Sequence, residues 1–191
     1  NYSRGSNNVS VGRAALLGVD GSSSGNNNVS MGFNSMLANT TGASNVAIGT
    51  QALDANTSGS SNTAVGDSAL GSCTTGTLNV AIGALAGQDV TTAAELVAIG
   101  YDAGGGVTTG SNNVCIGRNT GNHDVVLTGG AQNVVIGDFS DVHDANGTNQ
   151  IVLGYNITSP ANNHFSFGKP SNVVSNDFSS NASFSRSSDV N

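Results

Sequence analysis

The residues best placed to do chemistry are the histidines that stand beside carboxylates: His123 next to Asp124, and His143 between Asp141 and Asp144, with His164 alone. A zinc site needs three or four ligands brought together, usually from short spacings, and no histidine here has a second one at ligand spacing along the chain. Asp141, His143 and Asp144 are assigned to a lengthened stretch before Gly147 and read as a solvated loop, so no metal and no other cofactor is expected. A threefold assembly is the remaining route by which histidines would meet, three copies of one residue at a time. Glycan cleavage would need two carboxylates roughly 5 to 10 Å apart in a cleft lined by aromatic platforms. The acids Asp54, Asp67, Asp89, Glu95 and Asp102 come singly, with only Tyr101 for an aromatic neighbour. The reading is therefore of a chain that is not an enzyme. Cys73 and Cys115 differ in context and match no disulfide framework, so both are expected to be free thiols.

Composition narrows the classes further. Only 9% of the 191 residues are charged and 5% aromatic, without tryptophan, which leaves little for a thick core. The net charge of -7 arises from scattered acids, and five isolated bases make no stripe to neutralise phosphates, so nucleic acid is not expected as a partner. No run approaches the ~20 apolar residues of a membrane span. The amino end carries neither Met nor a signal-peptide pattern and reads as that of an excerpted segment. Sequons such as those at Asn8, Asn28, Asn39, Asn56, Asn146, Asn156 and Asn181 are explained by the abundance of Asn, Ser and Thr.

With 27 glycines, about twice the usual share, the chain would pass for a flexible linker were it not periodic. The unit is G-x-x-N-V-A-I-G. Its closing glycines are Gly12, Gly32, Gly49, Gly66, Gly83, Gly100, Gly117, Gly137 and Gly154, whose numbers differ by 17 in six of eight intervals and by 20 in the other two. Seven positions earlier a second glycine column runs from Gly5 to Gly147, with Ala93 the exception. Between the columns, apolar residues alternate with period two, as in Val46 and Ile48 or Val80 and Ile82, which means a strand. The residue between them is small in most coils, Ala47, Ala64, Ala81, Ala98 and Cys115, and that face is expected to admit close neighbours, other chains included. A weaker apolar point follows each closing glycine, as in Ala52-Leu53 and Ala69-Leu70, fading to Ala86-Gly87 and Ala103-Gly104.

Each coil owns about three sizeable apolar side chains, too few to bury alone, so coils must stack. The expected fold is all-β: a β-solenoid or flattened two-sided roll of about nine 17-residue coils, on the order of 40 Å long at the ~4.8 Å strand pitch. A triangular β-helix of the hexapeptide type is disfavoured, because only one strong strand recurs per coil. Asn45, Asn62, Asn79, Asn113 and Asn133, with Asn8, Asn28 and Gln150, stand immediately before the strands and are read as a stacked amide ladder rather than a glycan-binding row. The coils define a shaft over 1-158. Beyond Pro160 the register fails, and 159-191, with Phe165, Phe167, Phe178 and Phe184, is read as a separate aromatic β segment. The connections from Gly18 to Asn27 and from Asn119 to Gln132 are the longest and the best local candidates for contact with a partner. The doublets Thr74-Thr75, Thr91-Thr92 and Thr108-Thr109 form only a local column, so an ice-binding solenoid is disfavoured.

The N-V-A-I-G motif followed by Ala-Leu, clearest from Asn45 to Leu53, resembles the head repeats of trimeric autotransporter adhesins and similar repeats in phage tail fibres, over most of the chain. Adhesin-head repeats are typically shorter than the unit found here. The carboxyl end, from Val173 to Asp189, resembles the junction that precedes the self-cleaving intramolecular chaperone of phage tailspikes and fibres. That resemblance implies cleavage between Ser188 and Asp189, a homotrimer, location on the virion, and a structural role in attachment to a host-surface receptor or glycan. A bacterial trimeric adhesin head on the cell surface is the alternative. A glycan-degrading tailspike and an ice-binding solenoid are less favoured.

Overall fold

The computed structural model describes residues 5-18 and 24-178. Among them there is no α-helix, and every strand belongs to one sheet of 11 strands whose spatial order is the chain order. The first nine strands are β1 (Val9–Val11), β2 (Val29–Met31), β3 (Val46–Ile48), β4 (Thr63–Val65), β5 (Val80–Ile82), β6 (Val97–Ile99), β7 (Val114–Ile116), β8 (Val134–Ile136) and β9 (Ile151–Gly154). Each pairs in parallel with the next, position for position, as Val46 with Thr63 and Ile48 with Val65. The protein is thus a β-solenoid of about nine coils in which one coil length separates paired positions.

The closing glycines make the coil possible. Gly49, Gly66, Gly83 and Gly100 sit at φ of +139°, +142°, +133° and +130°, and a Cβ on any of them would run into the carbonyl of the next glycine in the column. Both conditions exclude a side chain. Two positions later and again two after that the backbone enters the left-handed region, at Gln51 (+54°) and Leu53 (+52°) or Ser68 (+54°) and Leu70 (+51°). This corner bends the chain back under its own strand. Its amides bond to neighbouring coils, Leu53 N–H to Ala69 and Gln51 N–H to Phe33, so no second strand is needed to satisfy the backbone. The expected two-sided roll has strand on one side only, with turns on the other.

The inward column of the sheet is the small one: Ser30, Ala47, Ala64, Ala81, Ala98, Cys115, Val135 and Val152 are wholly buried inside the coil. The expectation that this face would admit other chains is therefore corrected, since it packs against the coil's own corner. The Val and Ile residues on either side of this column point outward, because successive side chains of a strand alternate between its two faces. Inside, two further columns trade volume. Leu16, Met36, Leu53 and Leu70 fill the corner in the early coils and give way to Gly87, Gly104 and Gly121, while the column facing them grows from Asn39 and Asn56 through Cys73 to Val90, Val107 and Leu127. The fading apolar point of the sequence is this repacking, and glycine at positions 87 and 104 also relieves a backbone held at φ of +58° and +55°.

β10 (His164–Lys169) continues the same sheet, parallel to β9 with Phe165 opposite Ile151, a shorter step along the chain that breaks the register of the repeat but not the sheet. β11 (Asn172–Asp177) folds back antiparallel on β10.

Candidate functional site

Three arrangements carry the polar and surface chemistry of the molecule. The first is the asparagine column. Asn62 Oδ1 accepts the backbone N–H of Asn79 at 3.0 Å, and its Nδ2 donates to the Gly76 carbonyl at 2.9 Å and to Asn45 Oδ1 at 3.2 Å. Asn45, Asn79, Asn113 and Asn133 repeat this pattern between coils, all fully buried, and Gln150 N–H closes on Asn133 Oδ1 at 3.1 Å. The amides hold coil to coil and offer nothing to an outside ligand. The threonine column is half used in the same way: Thr74, Thr91 and Thr108 donate their hydroxyls to the next carbonyl at 3.1, 3.1 and 3.2 Å, leaving Thr75, Thr92 and Thr109 exposed. Cys73 and Cys115 are free and buried, and burial pushes their thiols up to about 11 and about 12, which leaves them protonated and inert.

The second arrangement is the outer face of the sheet. Two columns run its length, one from Val9 through Val46, Val80 and Val114 to Ile151 and Phe165, the other from Val11 through Ile48, Ile82 and Ile116 to Leu153 and Phe167. Val11 is 53% exposed, Ile48 38% and Ile82 41%. Phe165 and Phe167 stack on each other at 5.4 Å and cap the stripe. No charged residue interrupts the columns across β1 to β9.

The third is a cluster at the second lengthened coil. The extra residues form a small lobe closed by a bridge between Asn122 and Val126, with His123 and Asp124 at its tip. Asp141 reaches it from the next coil. The reading of Asp141, His143 and Asp144 as a lengthened, solvated loop is corrected here: the stretch from Gly137 to Gly154 has the ordinary coil length, and Asp141, four positions past Gly137, occupies the interior corner column where other coils have Leu, Met or Gly. It is wholly buried, and its carboxylate accepts the backbone N–H groups of His123 (3.2 Å), Asp124 (2.8 Å) and Val125 (3.4 Å). Burial raises its pKa, against the lowering effect of those bonds and of His123. His123 packs on Phe139 with ring centroids 4.8 Å apart, and the Arg118 guanidinium lies over the Phe139 ring, 4.3 Å from its centroid.

His143 and His164 stand apart from this cluster. His143 lies 4.0 Å from Asp144, with its backbone N–H on Gln150 Oε1, and His164 Nδ1 is 2.9 Å from the Asn162 carbonyl. The sequence reading did not join His123 and Asp124 to Asp141; counting four positions from Gly137 would have set Asp141 facing the preceding coil. Ser188 and Asp189 lie outside the described residues, as does part of the connection from Gly18 to Asn27. Among the described residues no helix is long and apolar enough to cross a membrane. No protein-family model matches the chain, and no similar protein is found among curated proteins or solved structures.

Proposed function

We propose that the chain is a shaft segment of a homotrimeric fibre, of the phage tail-fibre kind, that carries attachment surfaces toward a host cell. The observation that carries this reading is the outward stripe of Val, Ile and Phe along the sheet. Its two columns stand about 7 Å apart and run for roughly 45 Å at the strand pitch. An apolar band of this kind, interrupted only by Thr63 and on the order of several hundred Å², marks an interaction surface. A second and third copy of the same chain are the natural occupants, because only an identical stack presents matching side chains at the same pitch over the whole length. Three copies rather than two follow from the resemblance of the N-V-A-I-G coils to trimeric fibre and adhesin repeats. The role is mechanical and non-catalytic.

The test is the native mass of the chain expressed with its natural downstream sequence, for the wild type, Ile82→Glu and Ser188→Ala. A denaturant-resistant trimer that Ile82→Glu reduces to monomer is expected, with wild type cleaved at Ser188-Asp189 and Ser188→Ala intact. A trimer that is never cleaved turns the reading toward a bacterial adhesin head. A wild-type monomer removes the fibre altogether.

A further inference from the structure

We propose that His123, Asp124 and Asp141 form a binding site for one divalent transition-metal ion of the zinc type, which fastens the lobe of the long coil to the coil below it. One ligand atom from each residue lies within 4.8 Å of the other two. His123 Nδ1 is 3.3 Å from Asp124 Oδ1 and 3.9 Å from Asp141 Oδ2. Ligands at zinc distances of about 2.0 to 2.2 Å in a tetrahedral arrangement stand about 3.4 Å apart, so an ion between these three atoms needs only small side-chain adjustments. The imidazole nitrogen favours zinc, cobalt or nickel over calcium and magnesium, which take oxygen ligands.

Capping alone does not account for the cluster. The backbone N–H groups of the lobe would be held by the Asp141 carboxylate whatever side chains stood at the tip. Instead the His123 ring turns toward that carboxylate and brings a second acid, Asp124, to its other side. Two carboxylates in one place ask for a cation between them. The supporting contacts have the character of a metal site's outer shell. Asp141 is oriented by backbone N–H groups from three successive residues, and the His123 ring is steadied by Phe139, itself flanked by Tyr155 at 6.3 Å. With one nitrogen and two oxygen ligands from the chain, a fourth position is left for water or for a donor from a partner.

The proposal is tested by titrating the intact chain, freed of metal by chelator, with Zn²⁺ in a calorimeter and with Co²⁺ by visible absorption. One ion per chain is expected, with tetrahedral cobalt bands and a raised unfolding temperature. His123→Ala and Asp124→Asn, both on the exposed tip, should keep the fold and weaken binding by about tenfold or more. His143→Ala and His164→Ala should bind as wild type. Absence of binding, or binding that His123→Ala leaves untouched, overturns the site.

Discussion

At the scale of single residues, the molecule rests on side chains that stand in for backbone partners. Each ladder asparagine supplies an acceptor to one buried N–H and a donor to one buried carbonyl, two groups the strand pairing leaves over. Asn62→Ala should therefore cost about 3 kcal/mol, because it leaves the Asn79 N–H without its acceptor and weakens the bonding of the Gly76 carbonyl in a place water cannot reach. Chemical denaturation would measure it. Asn62→Asp keeps the acceptor and loses the donor, so its deficit should shrink as pH falls and the acid regains a proton to give to Gly76. The second amide column shows the cost of an unfinished ladder. Asn56 Nδ2 donates to Asn39 Oδ1 at 2.9 Å, but Cys73 follows it in the column, and Asn56 Oδ1 is left buried with no hydrogen-bond donor. The main ladder avoids this at its own interruption, where Asn79 Oδ1 takes the backbone N–H of Leu96 and needs no amide there.

At the scale of the coil, departures from the repeat come in matched sets. Ala93 is the exception in one glycine column and Leu96 the residue without an amide in the ladder column, and both belong to the same coil. In the coils of Gly59 and Gly76 a Cβ on the glycine would meet first the next coil's carbonyl oxygen, and beyond it the coil's own ladder amide, at 3.2 Å for Asn62 and 3.0 Å for Asn79. Leu96 has no amide to collide with, and its Cδ2 turns instead toward Gly87, 3.3 Å from where a Cβ there would stand. Leu96→Asn and Ala93→Gly should then be coupled: the double variant should be more stable than the sum of the single losses predicts, by about 1 kcal/mol in a double-mutant cycle. Much of this level was legible beforehand. The constant interval, the glycine columns and the Val-x-Ile alternation specify a stack of coils with one strand each. Alternation could not say which side of the strand was interior, because large apolar residues on one face and Ala on the other suggest a core on the large side. In the structure the small side is the buried one. The lobe cluster was hidden for a different reason: Asp141 stands one full coil from Asp124 and one position more from His123, a separation that means contact only once the stacking is known.

At the scale of the whole molecule, charge and burial act together in one direction. Asp54, Asp102 and Asp141 all have raised pKa values, in each case chiefly because burial removes water from the carboxylate. A carboxyl group with a folded pKa above its unfolded one contributes stability that is fully present below the unfolded value and is lost as pH rises through the folded one. The chain also carries a formal charge of -7 at pH 7 and has a pI near 4.4, so acidification relieves self-repulsion among coils stacked at strand pitch. The described ion pairs are contacts of His123 and His143 with Asp124, Asp141 and Asp144. In chelator, the guanidinium midpoint should therefore rise as pH is lowered from 7 toward the pI. Zn²⁺ at the lobe should reverse the trend locally, because a metal held by two ionised aspartates and a neutral histidine is released by acid. Comparing the pH dependence with and without Zn²⁺ separates the two effects: a midpoint that falls on acidification in chelator would mean that burial of these carboxylates does not govern the stability of the stack.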